Sequence, residues 1–143
     1  VIIALDTNVL SELFTPVPHP DVVAWRRAHL GETVITAVTK AEILYGIEKL
    51  PEGRRRRRFE VVIRETFAAH TPSAVLPFDD AAAAEYARIV AHRESIGRPI
   101  SVPDAQIAAI CASQDVPLAT RNVRDFEETG IVVLDPFVGQ GST

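Results

Sequence analysis

Four acids of the 143-residue chain stand where an apolar run ends or a helical segment starts. Asp6 follows the run at residues 1–5 directly. Glu42 lies near the start of the helical segment after the second run. Asp104 opens an apolar helix after the loop at residues 98–103, and Asp125 follows the fourth run, in Thr120-Arg121-Asn122-Val123-Arg124-Asp125-Phe126. If a fold gathers such carboxylates they repel one another, and ionising all of them needs a cation. The chain has one cysteine, Cys111, and no histidines at metal spacing, so hard oxygen donors point to Mg²⁺ or Mn²⁺ rather than zinc. One or two such ions polarise a phosphodiester, acidify a bound water and stabilise the leaving oxygen. Hydrolysis of a nucleic-acid phosphodiester is the reaction that suits this set.

Each acid also has a purely structural reading. Thr39-Lys40-Ala41-Glu42 has the spacing of a capping box, and Ser101-Val102-Pro103-Asp104 resembles one. Asp6 suits the N-cap of a helix carrying Leu10 and Leu13, although an acid straight after a buried strand weighs towards a site. Asp125 taken alone reads as turn chemistry. Asp79 and Asp80 precede a helix and read as its cap.

The elements that must position these groups follow from apolar patterning. Short β-branched runs at residues 1–5, 33–38, 74–78, 116–119 and 131–134 have strand length and composition. Between them lie helical spacings: Leu10, Leu13 and Phe14, then Phe59, Val62, Ile63 and Phe67, then the alanine-rich residues 81–96. Residues 105–112 are apolar nearly all round, the mark of a buried helix. Strands alternating with helices predict an α/β chain, a three-layer α/β/α domain with a five-stranded parallel sheet. Its ligand edge lies at the carboxyl ends of the strands. One domain over residues 1–137 is expected, with residues 138–143 a flexible tail.

Composition narrows the class. A hydrophobic share of 47% and a charged share of 24% are those of a globular domain and exclude general disorder. No apolar run is long enough to span a membrane, and the opening run is too short for a signal-peptide core, so no membrane role and a cytoplasmic location are expected. A net charge of −4 argues against holding nucleic acid by bulk charge alone. It leaves room for a local basic patch, and arginines 54–58 are a candidate. Five successive residues circle a helix, so the run reads either as a solvated helix start or as a contact for phosphate or an acidic partner. No glycine-rich phosphate loop and no nucleophile elbow is present. Cys111 reads as core packing, and His19, His29, His70 and His92 as surface residues.

Four segments in order resemble the PIN-domain ribonucleases, in particular the VapC/FitB-like toxins. They are Leu5-Asp6-Thr7-Asn8-Val9-Leu10-Ser11-Glu12, Thr39-Lys40-Ala41-Glu42-Ile43-Leu44-Tyr45-Gly46-Ile47, Pro103-Asp104-Ala105-Gln106-Ile107-Ala108-Ala109 and Ala119-Thr120-Arg121-Asn122-Val123-Arg124-Asp125-Phe126. The resemblance runs from Val1 to about Phe137. It implies a metal-dependent endoribonuclease in which Asp6, Glu42, Asp104 and Asp125 are catalytic and hold Mg²⁺ or Mn²⁺, with metal-activated water attacking phosphorus. Thr120 and Asn122 would support the fourth acid, and either Asn122 or Asp125 could face the metal. Thr7, Asn8 and Ser11 would be supporting or substrate groups, and Gly46 would leave room for substrate or serve packing. The resemblance further implies an RNA substrate, a cognate antitoxin with its own DNA-binding region and a homodimer. Residues 22–25 and 44–47 are then candidate partner contacts, or else core.

Two other readings use the same residues: a PIN-type nuclease of RNA processing without an antitoxin, and a non-catalytic interaction domain on the same fold. A receiver-like domain is disfavoured, because Asp6 stands alone after the first strand and no lysine follows Lys49. An aspartyl phosphatase would want a second acid where Asn8 stands.

Overall fold

Each apolar run forms a strand, and all five strands pair in parallel in the order β3-β2-β1-β4-β5. The computed structural model describes residues 1–68 and 75–138, with side chains at 1–65 and 75–138. The strands are β1 (Ile3–Leu5), β2 (Thr33–Thr36), β3 (Val75–Leu76), β4 (Leu118–Ala119) and β5 (Val133–Leu134). The helices are α1 (Thr7–Leu13), α2 (Pro20–Ala28), α3 (Ala37–Glu48), α4 (Arg54–Ala68), α5 (Asp80–Ser95) and α6 (Val102–Gln114), with a 3₁₀ turn at Val123–Phe126. The expected tail beyond Val138, together with His70, Ala74 and the Phe67 side chain, lies outside the described residues. Among the described residues no helix is long and apolar enough to cross a membrane.

Strand alternation divides the core in two. Ile3, Leu5 and Ile35 face one layer, where Val9, Leu10, Val22, Trp25, Ile43 and Ile63 pack from α1, α2, α3 and α4. Ala4, Val34 and Leu118 face the other, against Ile89 of α5 and Ile107, Ala108 and Ile110 of α6. The three-layer expectation is met, and α6 is as buried as its apolar sequence demands, from Ile107 through Cys111. Of residues 22–25, Val22 and Trp25 belong to this core. Val22 and Trp25 are 0% and 2% exposed, so they are not the partner contact their sequence suggested. Helix α2, unforeseen among the prolines, starts with Pro20 in its first turn, where a missing N–H costs nothing.

The cap of α3 is also displaced from expectation. Thr36, the last residue of β2, is the N-cap, and its hydroxyl oxygen accepts from the Thr39 amide at 3.0 Å. The capping box ending at Glu42 is therefore not formed, and Glu42 is released to face the site. At α6 the expected cap is present: the Ser101 hydroxyl oxygen accepts from the Asp104 amide at 3.3 Å. Asp79 caps α5 through the Ala82 amide at 3.0 Å.

Thr36 is fully buried, so removing its hydroxyl strands the Thr39 amide. Thr36→Val is expected to cost about 2 kcal/mol. Chemical unfolding should show a lower midpoint at an unchanged slope, with Thr36→Ser close to wild type.

Candidate active site

Strand order reverses between β1 and β4, and the crevice beyond their carboxyl ends is where open parallel sheets bind ligands. Asp6 and Thr120 are the residues that leave those two strands. Leu5 pairs with Ala119, and the Asp6 amide donates to the Ala119 carbonyl at 2.9 Å. The two side chains meet at once: the Thr120 hydroxyl donates to Asp6 Oδ2 at 2.7 Å. Asp6 Oδ1 accepts from the Thr7 amide at 2.8 Å, so Asp6 is also the cap of α1. Its capping and site readings are both met by one carboxylate.

Asn8 ties the two loops together. Its amide nitrogen lies 3.1 Å from Thr120 Oγ1 and 3.4 Å from Asp6 Oδ2, and its oxygen accepts from the Arg121 amide at 3.0 Å. Thr120 Oγ1 also accepts from the Asn122 amide at 3.1 Å. One turn into α1's neighbour, Glu42 Oε1 accepts from the Thr7 hydroxyl at 2.8 Å. Thr7, Asn8 and Thr120 thus hold acids or the loops that carry them. Asn122 contributes its backbone, and its side chain is exposed.

The electrostatics place the acids in one field. Burial pushes the Asp6 carboxyl above its ordinary range; the bonds from Thr120 and Thr7 pull it back, and the Asp125 charge adds to the rise. Glu42 is raised by desolvation first, then by Asp6 and Asp104 against the Thr7 bond. Asp104 is raised by desolvation, then by Asp6 and Asp125, with Ser101 and Arg93 opposing. Asp6, Asp104 and Asp125 are therefore each felt by at least one other acid, and Glu42 feels two of them. Asp125, on the 3₁₀ turn, and Glu42 are the exposed members.

Among the described residues no three acids already stand at metal-ligating distance. The donors are all carboxylate oxygens, with hydroxyls behind them, and they fit a hard divalent cation.

Several residues took roles that their sequence context hid. Arg93 of α5 is 5% exposed and spans two segments. Its guanidinium donates to the Arg98 carbonyl at 2.6 Å, on the approach to Asp104, and to the Asp125 and Glu127 carbonyls at 3.0 and 2.9 Å. An arginine in an alanine-rich helix gives no local signal of this. His19 caps α2, its Nδ1 accepting from the Asp21 amide at 3.1 Å, and His29 stacks on Trp25 with centroids 4.4 Å apart. His92 meets the expectation of a surface residue and pairs with Glu128 at 3.1 Å. Cys111 is core, and burial pushes its thiol up to about 12.

Beside Glu42 an open cleft of about 260 Å³ runs along α1, α3 and α4, lined by Thr7, Ser11, Phe14, Gly46, Arg55 and Phe59 among others. A side chain added at Gly46 would meet nothing within 4 Å, so this glycine keeps the cleft open rather than serving packing. In the segment 44–47, Leu44 and Tyr45 are exposed while Ile47 is buried.

The PIN domain family model matches residues 3–132. The chain is 35% identical over 136 residues to VapC ribonuclease Y4jK of Sinorhizobium fredii, covering 94% of this chain and 97% of that protein. It is 32% identical to Toxin FitB of Neisseria gonorrhoeae, covering 94% and 98%. A solved structure of FitAB bound to a DNA fragment superposes with a TM-score of 0.91 at 29% identity, over 99% of this chain and 100% of that one. The chain belongs to the PIN domain family.

The raised carboxyls set a pH dependence. A carboxyl raised on folding binds its proton more tightly in the folded chain. These three groups therefore contribute most to stability below the ordinary carboxylate range, and that contribution is lost as pH climbs through that range towards the raised values. Asp104→Asn removes one repelling charge. In EDTA at neutral pH it should melt above wild type, and the difference should close below about pH 4. A variant that melts lower at neutral pH would contradict the crowding.

Proposed function

We propose that the chain is a metal-dependent endoribonuclease, the toxin of a toxin–antitoxin pair. The observation that carries this is the meeting of Asp6, Glu42 and Asp104 in one repulsive field at the β1/β4 switch point of a PIN-family chain. Asp6, Glu42, Asp104 and Asp125 are the catalytic acids and hold Mg²⁺ or Mn²⁺. When bound, the divalent cation polarises the scissile phosphate and lowers the pKa of the attacking water.

The chain's own groups then divide the work. Asp6, caged by Thr120, Asn8 and the Thr7 amide, is the rigid donor. The Thr7 hydroxyl holds Glu42 on the site side. Asp125 rather than Asn122 serves as the fourth acid, because its charge reaches Asp6 and Asp104. The hydrolysed bond is a phosphodiester of RNA, as the name of VapC ribonuclease Y4jK supports. The partner is a small antitoxin, consistent with the FitAB assembly on DNA, and the enzyme works as a cytoplasmic homodimer.

Purified, antitoxin-free protein should cleave a panel of single-stranded and structured RNAs in Mg²⁺ or Mn²⁺ and not in EDTA. Asp104→Asn should remain folded and lose activity by roughly a hundredfold or more. Equal cleavage in EDTA, or wild-type rates in the variant, would refute the assignment.

A further inference from the structure

Helix α4 sorts its five consecutive arginines by direction. At about 100° per residue, Arg54, Arg55 and Arg58 share a side with Phe59, while Arg56 and Arg57 turn away. Arg56 is committed to structure. It contacts Glu60 at 2.8 Å, Glu48 at 3.3 Å and Glu52 at 3.7 Å, and donates to the Leu50 carbonyl at 3.2 Å. Arg54, Arg55 and Arg58 are exposed and form no ion pair among the described residues. They line an open hollow of about 430 Å³ together with Phe14 and Phe59. Arg55 also sits 5.9 Å from the Phe59 ring centroid.

That hollow adjoins the cleft beside Glu42: Phe14, Arg55 and Phe59 line both, and Thr7 and Glu42 line the cleft only. The two hollows together make a groove with Glu42 in one part, three guanidiniums without an ion pair among the described residues in the other, and two aromatic rings shared between them. We propose that this groove is the track for a single-stranded RNA flank of the cleavage site, with Arg54, Arg55 and Arg58 on its phosphates and Phe14 and Phe59 against its bases. The proposal rests on the ribonuclease reading of the acids.

Charge decides the occupant. A nucleic-acid strand repeats the same anion at every step, so it suits the arginine end directly and the acid end once a divalent cation is there. Guanidiniums interleaved with aromatic rings are the usual surface for unpaired bases. An acidic peptide satisfies only the arginine end.

The test compares Arg54→Gln/Arg55→Gln/Arg58→Gln with Arg57→Gln, which removes the same kind of charge from another side of the helix. Glutamine keeps the helix propensity. Binding of a fluorescent single-stranded RNA is read in EDTA, where no cleavage is expected. The triple variant should raise Kd roughly tenfold or more. Its log–log salt slope should fall by about 2, at about 0.7 per phosphate contact. Arg57→Gln should stay near wild type. With metal, the triple variant should raise KM and keep kcat. A triple variant that binds RNA like wild type, or an Arg57→Gln loss as large per charge, overturns the track. So does a poly-glutamate peptide that binds wild type as tightly as the RNA and loses affinity in the triple variant, since the face would then be a protein dock. Wild type that cleaves while the triple variant binds equally well refutes the track alone. Wild type that binds through these arginines yet never cleaves refutes the nuclease reading alone.

Discussion

A carboxylate at 5% exposure is the constraint around which the site is organised. An ionised group so deep is tolerable only when hydrogen bonds replace its water. Asp6 obtains them from the adjoining strand's exit and from the first turn of its own helix. Those donors exist only if β1 and β4 are paired in register and α1 starts immediately after β1. The folding of the sheet's centre and the solvation of one acid are therefore the same event.

The other acids are set progressively more loosely. Asp104 is half-buried behind a serine cap, Glu42 is held by a single hydroxyl, and Asp125 stands exposed on a short turn. Their mutual repulsion opposes folding of the metal-free chain, the usual tension between stability and a working site. The packed layers on both faces of the sheet, with α6 nearly fully buried, supply the rigidity that keeps the acids together against that repulsion.

The fold was legible where burial dictates composition. The central strands are apolar on both faces and the edge strands β3 and β5 are half-buried, so all five β-branched runs showed, although β1 begins after the exposed Val1 and Ile2 that the pattern included. Helix α2 was masked by prolines that elsewhere mark loops, and its Val22 and Trp25 looked free for want of a visible partner layer. The cap at Glu42 was misplaced because Thr36 and Thr39 are the same residue type three apart, and only the end of β2 decides between them. The positions of the four acids were legible because strand ends and helix starts are. Arg93 was not, because its partners are backbone carbonyls of residues distant in sequence, and the arginine run could not be divided until the glutamates around Arg56 were located.

The Arg93 contacts have a bearing on how such a site can change. Its guanidinium grips main-chain oxygens, which every residue possesses, and so it reads the route of the chain and ignores what the chain displays. The exposed side chains of the turn, Arg124 and Asp125, can be exchanged while the path beneath them persists and Phe126 keeps it anchored in the core. The Asp125 carboxylate is mounted on a fitting that holds only its main chain, which makes this corner the place where an acid can be exchanged without dismantling the fold.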